Sequence, residues 1–183
     1  MGPGNQGRRS PAWLRALAGI EAGILGGVAM LAWPAVSSLV DLQSIWVVPN
    51  LLGSALSGHA VLHRGFGWVT VAGLGLHLFV AGSVGICFAL VVRESRSRLR
   101  VVLLGIITGL FWYYVSQTFF WRRLGVFVMV YSPPRAMLFG HLLFGLTLGW
   151  FPNFLRSLRR VFLPGAEVLV ETHETAPAPD AVE

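Results

Sequence analysis

The run VLLGIITGLFWYYVSQTFFW, residues 102–121, decides the fold. It carries no charged side chain and is closed by Arg122 and Arg123. A helix rises about 1.5 Å per residue, so about 20 residues cover roughly the 30 Å of hydrocarbon in a bilayer. A single helix also satisfies its own backbone groups, as lipid demands. Similar apolar runs lie before and after it. The chain therefore reads as an all-α, polytopic membrane protein: a four-transmembrane-helix bundle with helices over 14–40, 68–92, 101–121 and 135–151.

Composition agrees. Of the 183 residues, 55% are hydrophobic and 12% charged. That is about half the charge of a soluble domain. The chain is also too short for a transporter built from two inverted repeats. All 14 basic residues are Arg, and they gather at the ends of apolar runs. In that position they speak for topology and contact with lipid phosphates, and no nucleic-acid partner is expected. The one cysteine, Cys87, lies within an apolar run and is expected to be a buried small hydrophobe. It has no CxxC or CxxCH partner, which excludes covalent c-type haem and Cys-based zinc sites.

Residues 1–13 read as a disordered cytoplasmic N-terminus, and 14–154 as the transmembrane domain. Pro34 is expected to bend the outer end of the first helix. Gly19, Gly23 and Gly27 form overlapping GxxxG steps. Gly105 with Gly109, and Gly145 with Gly149, repeat the spacing, so these glycines are expected to let helices approach closely. Between helices 1 and 2, segment 44–64 is too short to span. Leu52, Leu56, His59 and His63 fall on one helical stripe, which predicts a short interfacial or re-entrant helix. Residues 155–183 read as an amphipathic extension, bearing Arg156, Arg159 and Arg160, and a disordered acidic tail.

Counting Arg sets the orientation. Arg8, Arg9, Arg15, Arg93, Arg96, Arg98, Arg100, Arg156, Arg159 and Arg160 lie on one side; Arg64, Arg122, Arg123 and Arg135 lie on the other. The richer side is expected to be cytoplasmic, with both termini there.

Polar groups at membrane depth are functional candidates. His77 stands about 14 Å into helix 2 from its outer end, and His141 about 9 Å into helix 4 from the same side. Helix 3 reaches that level with Tyr113, Tyr114, Ser116 and Gln117, and His59 and His63 hang above. Small residues follow each histidine on its own stripe: Gly73, Ala81 and Gly85 beside His77, Gly145 and Gly149 beside His141. Four readings stay open. Room below two imidazoles suits haem b held by axial His77 and His141. A non-haem metal bound by His77, His141, His59 and His63 is a second. A quinone or lipid-headgroup pocket with Tyr113, Tyr114 and Gln117 is a third. The fourth is close packing of helices 2 and 4 around structural histidines. The pair His59/His63 has the spacing of zinc helices, but the run HAVLH lacks the Glu of HExxH, which argues against a metalloprotease. Glu21 is either a proton-relay or intersubunit carboxylate, or a carboxyl that is protonated or paired with Arg98 or Arg100. Trp46, Trp68, Trp121 and Trp150 sit near helix ends, as an aromatic belt requires, and Trp112 is mid-helix bulk.

The run Phe139-Gly140-His141-Leu142-Leu143-Phe144-Gly145, a helix 2 with its histidine in the outer half, and the four-helix plan resemble the YagU-like small bacterial inner-membrane proteins. The resemblance covers roughly helices 2 to 4. It implies the fold and an inner-membrane location, and no chemistry.

No Ser/His/Asp set, Walker loop or GxGxxG is present. The leading expectation is therefore a non-catalytic accessory or scaffold subunit that packs against other membrane proteins or a second copy of itself. The alternatives are an electron-transfer subunit holding haem b or a quinone at His77 and His141, and a small proton or solute pathway from Glu21 to the outer histidines.

Overall fold

The computed structural model describes residues 10–40, 44–57, 65–92, 97–124 and 134–163. The expectations for the N-terminal residues 1–9, the acidic tail from 164 and the histidines His59 and His63 lie outside these. Within the described residues every regular element is helical. They are α1 (Ala12–Val40), α2 (Val47–Ser57), α3 (Trp68–Val91), α4 (Arg98–Val115), a π-helical turn (Ser116–Phe120), α5 (Trp121–Leu124), α6 (Pro134–Leu148) and α7 (Phe151–Phe162). Four stretches are long and apolar enough to cross a membrane: Ala12–Ser37, Trp68–Val91, Arg98–Arg123 and Arg135–Phe162.

The helices pack in the order α3, α1, α6, α4, with α2 laid on α3 and α7 crossing the start of α1. Glycines set this order. Gly19 of α1 meets the backbone of Gly85 on α3, and Gly23 and Gly27 meet Ala81 one and two turns further on. Gly105 of α4 faces the backbone of Gly145 on α6; Gly109 and Gly149 extend that crossing toward His141 and Val102. These are the small-residue contacts that membrane helices use where no hydrophobic effect drives them together. The expected pairing is corrected in one respect. The glycine stripes of α3 and α6 do not pack on each other: on α3, Ala81 and Gly85 are spent on α1 and Gly73 on α2, the stripe of α6 is spent on α4, and α3 and α4 share no extended contact.

The Arg-rich end is closed by α7. Phe151 and Leu155 are buried against Leu14 of α1, Val92 after α3, Val101 of α4 and Leu148 of α6, while Arg156 and Arg160 point outward. The amphipathic extension thus begins at Phe151, four residues before the expected start, because Trp150 and Pro152 together restart the chain as a new helix. Arg15 donates to the carbonyls of Ala89, Leu90 and Val92, capping the orphan C-terminal groups of α3 with a positive charge.

At the other end α2 is inserted rather than laid on the surface. Pro49 through Ser54 are all buried, and Gly53 and Gly73 bring its backbone against α3. Buried Asn50 and Thr70 satisfy each other: the Thr70 hydroxyl donates to Asn50 Oδ1 at 2.5 Å and accepts from the Gly67 amide at 3.0 Å. The expected stripe is broken here, since Leu52 is buried but Leu56 is 64% exposed. Cys87 is also corrected: it is exposed on the outer face of α3.

Candidate functional site

The site is built from one stripe on each of three helices. On α4, the stripe that starts with Gly105 and Gly109 continues through Trp112 to Ser116. On α6 the stripe of Met137, His141 and Phe144 faces the same way, and on α3 that of Leu76, His77 and Val80. Where α3 and α4 stand apart, these side chains enclose a cavity of about 50 Å³. Pro34 of α1, Leu52 of α2 and Trp121 of α5 complete its wall.

His77 reaches across to α1, where its Nε2 lies 2.9 Å from the Gly27 carbonyl. Glycine at 27 keeps that approach open, since a Cβ there falls 2.8 Å from the Cβ of Ala81. His141 is 2% exposed. Its Nδ1 lies 2.7 Å from the carbonyl of Met137, one turn back. Tyr113 stands edge-on to the ring, with centroids 5.2 Å apart and planes at 73°. His141 Nε2 is buried and has no hydrogen-bond partner among the described residues. Ser116, also buried, donates its hydroxyl to the Tyr113 carbonyl at 2.9 Å. It opens the π turn, a local widening of the helix that recurs at functional sites.

The two imidazoles therefore face one void, although their helices do not pack together. The other residues named from sequence part company. Tyr113 backs His141 without lining the cavity, Tyr114 is 62% exposed and faces out of the bundle, and Gln117 is half-buried but off the cavity wall. Glu21 is exposed and unpaired among the described residues; the expected pairing with Arg98 or Arg100 is absent, all three side chains being exposed. Its stripe on α1 runs through Leu17, Leu25 and Val28, all exposed, so it points away from the cavity. Trp121, expected in the aromatic belt, and Trp112, expected as bulk, both line the cavity. Trp112 and Ser116 were legible in principle as the continuation of the Gly105/Gly109 stripe. The π turn that aims Ser116 has no such signal.

The donor set favours some ligands over others. Among the described residues no three His, Cys, Asp or Glu side chains gather as a metal site. A haem needs a pocket in the usual ligand range of about 300–1,000 Å³, and an axial His77 would first have to give up Gly27. Room for one or two waters, or for the slender head of an apolar molecule, is what this void offers, at about 30 Å³ per water.

No family model, no curated protein and no solved structure matches this chain.

Proposed function

We propose that this is a multi-pass protein of a bacterial inner membrane, with both termini cytoplasmic, whose bundle is a non-catalytic binding module for a slender, lipid-soluble ligand at the His77–His141 cavity. One observation carries the reading: a fully buried imidazole nitrogen, His141 Nε2, is left without a partner among the described residues beside a mostly apolar void. Leaving such a group unsatisfied costs about 1–3 kcal/mol, so it is retained for something it meets. The gap between α3 and α4 gives a membrane-dissolved chain a way in. The orientation is supported by the meeting of Leu14, Val92, Val101 and Phe151 at one end of the bundle, which brings the Arg-rich segments together.

Bromononane in detergent micelles tests the reading, because bromine quenches nearby indoles and Trp112 and Trp121 line the cavity. The expected result is saturable quenching. It is lost when Trp112→Phe and Trp121→Phe are combined, and when Val80→Phe fills the void. Quenching that rises only linearly with ligand, equal in all variants, refutes the cavity as a binding site.

A second reading, membership of a larger membrane assembly, is favoured by Glu21. A carboxyl without a partner on a lipid-facing stripe is expensive, and a neighbouring helix that donates to it removes the cost. Extraction in a mild detergent followed by native mass spectrometry is expected to give a complex for the wild type and a monomer for Glu21→Leu. A wild-type monomer refutes it.

A further inference from the structure

The hydrogen atoms of the cavity's polar side chains can be assigned one by one. A backbone carbonyl only accepts, so the ring nitrogen facing it must carry the hydrogen. His141 donates from Nδ1 to Met137, which makes Nε2 of the neutral ring a bare lone pair. His77 donates from Nε2 to Gly27, which leaves Nδ1 as its lone pair. The Ser116 hydrogen goes to Tyr113, which leaves its oxygen able only to accept. Both imidazoles and the hydroxyl line the same void. Each has given its hydrogen to a backbone carbonyl, His77 to one on α1, and His141 Nε2 is the buried acceptor left without a partner beside the void.

From this we infer that the cavity selects a hydrogen-bond donor: a slender apolar molecule ending in a hydroxyl, a long-chain alcohol in chemical class, whose O–H is taken by His141 Nε2. The inference rests on the binding reading above and names its ligand. An ether or ester of the same shape brings only lone pairs and meets another at His141 Nε2. An ammonium head would satisfy His141 Nε2, but no carboxylate among the described residues lines the wall to balance its charge, and a buried unpaired charge is far more expensive than a buried hydroxyl. The dimensions agree, since about 50 Å³ takes a hydroxyl and its first carbon, and the gap between α3 and α4 is where the remaining chain would lie.

Displacement of bromononane by nonanol and by methyl octyl ether tests this directly. The two competitors have the same atoms, and only the alcohol can donate. Nonanol is expected to displace the quencher at about five- to tenfold lower concentration, the worth of one buried hydrogen bond. In His141→Phe the two are expected to become equal, with the ether unchanged. The wild-type comparison stands alone should that variant fail to fold. Equal displacement by both molecules, or a preference that survives His141→Phe, overturns the donor assignment while leaving the cavity a binding site. Absence of saturable quenching in the wild type overturns the binding reading itself.

Discussion

Replacing Gly19 by alanine measures how tightly α1 and α3 are held. A Cβ at Gly19 falls 2.5 Å from the Gly85 carbonyl oxygen, 2.9 Å from its carbon and 2.7 Å from the Cβ of Ala89. None of the three is the far end of a flexible side chain, so relief must come from moving a helix. Ordinary contact between such atoms is about 3.5 Å, so the axes must separate by about 1 Å over this turn. Overpacking of this kind costs about 1–3 kcal/mol. Alanine also gains helix propensity, about 1 kcal/mol in water, which would mask part of the loss. Gly75→Ala removes that ambiguity. Gly75 lies inside α3 with nothing within 4 Å of its added Cβ, so it receives the propensity gain without the clash. The difference between the two variants isolates the steric term. Unfolding in mixed micelles of rising SDS fraction, followed by circular dichroism, is the assay. Gly19→Ala is expected to unfold about 1–3 kcal/mol earlier than Gly75→Ala. Should the two unfold together, or Gly19→Ala later, the close crossing of α1 and α3 is refuted.

Thr70→Val keeps shape but removes the hydroxyl that joins the Gly67 amide to Asn50. It is expected to cost about 1–3 kcal/mol in the same assay, with Thr70→Ser near wild type; an unaffected Thr70→Val would show that α2 is not anchored there. The carbonyl partners of the two histidines require opposite tautomers, the hydrogen on Nδ1 in His141 and on Nε2 in His77. Nitrogen-15 chemical shifts of labelled protein, assigned through His77→Phe and His141→Phe, are expected to show one ring of each kind, and two identical tautomers would contradict the geometry. Cys87, the single cysteine, is exposed on the outer face of α3. A spin label attached there and carried into bilayers is expected to be highly accessible to oxygen and poorly accessible to a water-soluble nickel chelate, whereas low accessibility to both would place that face against protein.

The parts of the fold that depend on counting were readable from the residues. Length and absence of charge locate the four stretches that are long and apolar enough to span, because a bilayer has a fixed thickness and a helix a fixed rise. GxxxG spacing identifies faces that pack, and Gly19, Gly23, Gly105 and Gly145 all lie at crossings. Spacing does not name the partner. The stripes beside His77 and His141 are equally suited to each other and to α1 and α4, and only the whole arrangement chooses. Cys87 shows the same limit from the other side: in a helix that is apolar all round, hydropathy cannot separate a core face from a lipid face, so an exposed thiol reads as a buried one. The stripe through Leu56 failed for a local reason. Six consecutive residues of α2, Pro49 to Ser54, are buried all round, whereas Leu56 and Ser57 at the end of the helix are exposed, so burial changes along this helix and not around it, which periodicity does not register. That His77 and His141 come to one level of the bundle was legible from their distance to the helix ends, and both line one cavity, whereas the π turn that begins at Ser116 leaves no mark in the spacing.

The position of the cavity follows from the two glycine crossings. One draws α3 onto α1, the other α4 onto α6, and α1 lies against α6. A chain of four helices joined by three close contacts need not close into a ring, and here the fourth side, between α3 and α4, is left unpacked. At the Arg-rich end that side is closed from below, where Phe151 and Leu155 of α7 fill the space beside Val92 and Val101. At the opposite end α2 lies on α3, and the void remains below it with Leu52 and Trp121 as part of its wall. A substitution that loosens the α1–α3 crossing should therefore do more than destabilise. It moves His77 relative to Gly27, the carbonyl that holds its hydrogen, and with it one wall of the void. The stability defect of Gly19→Ala and weaker saturable quenching by bromononane are thus expected in the same protein, while Gly75→Ala should show neither.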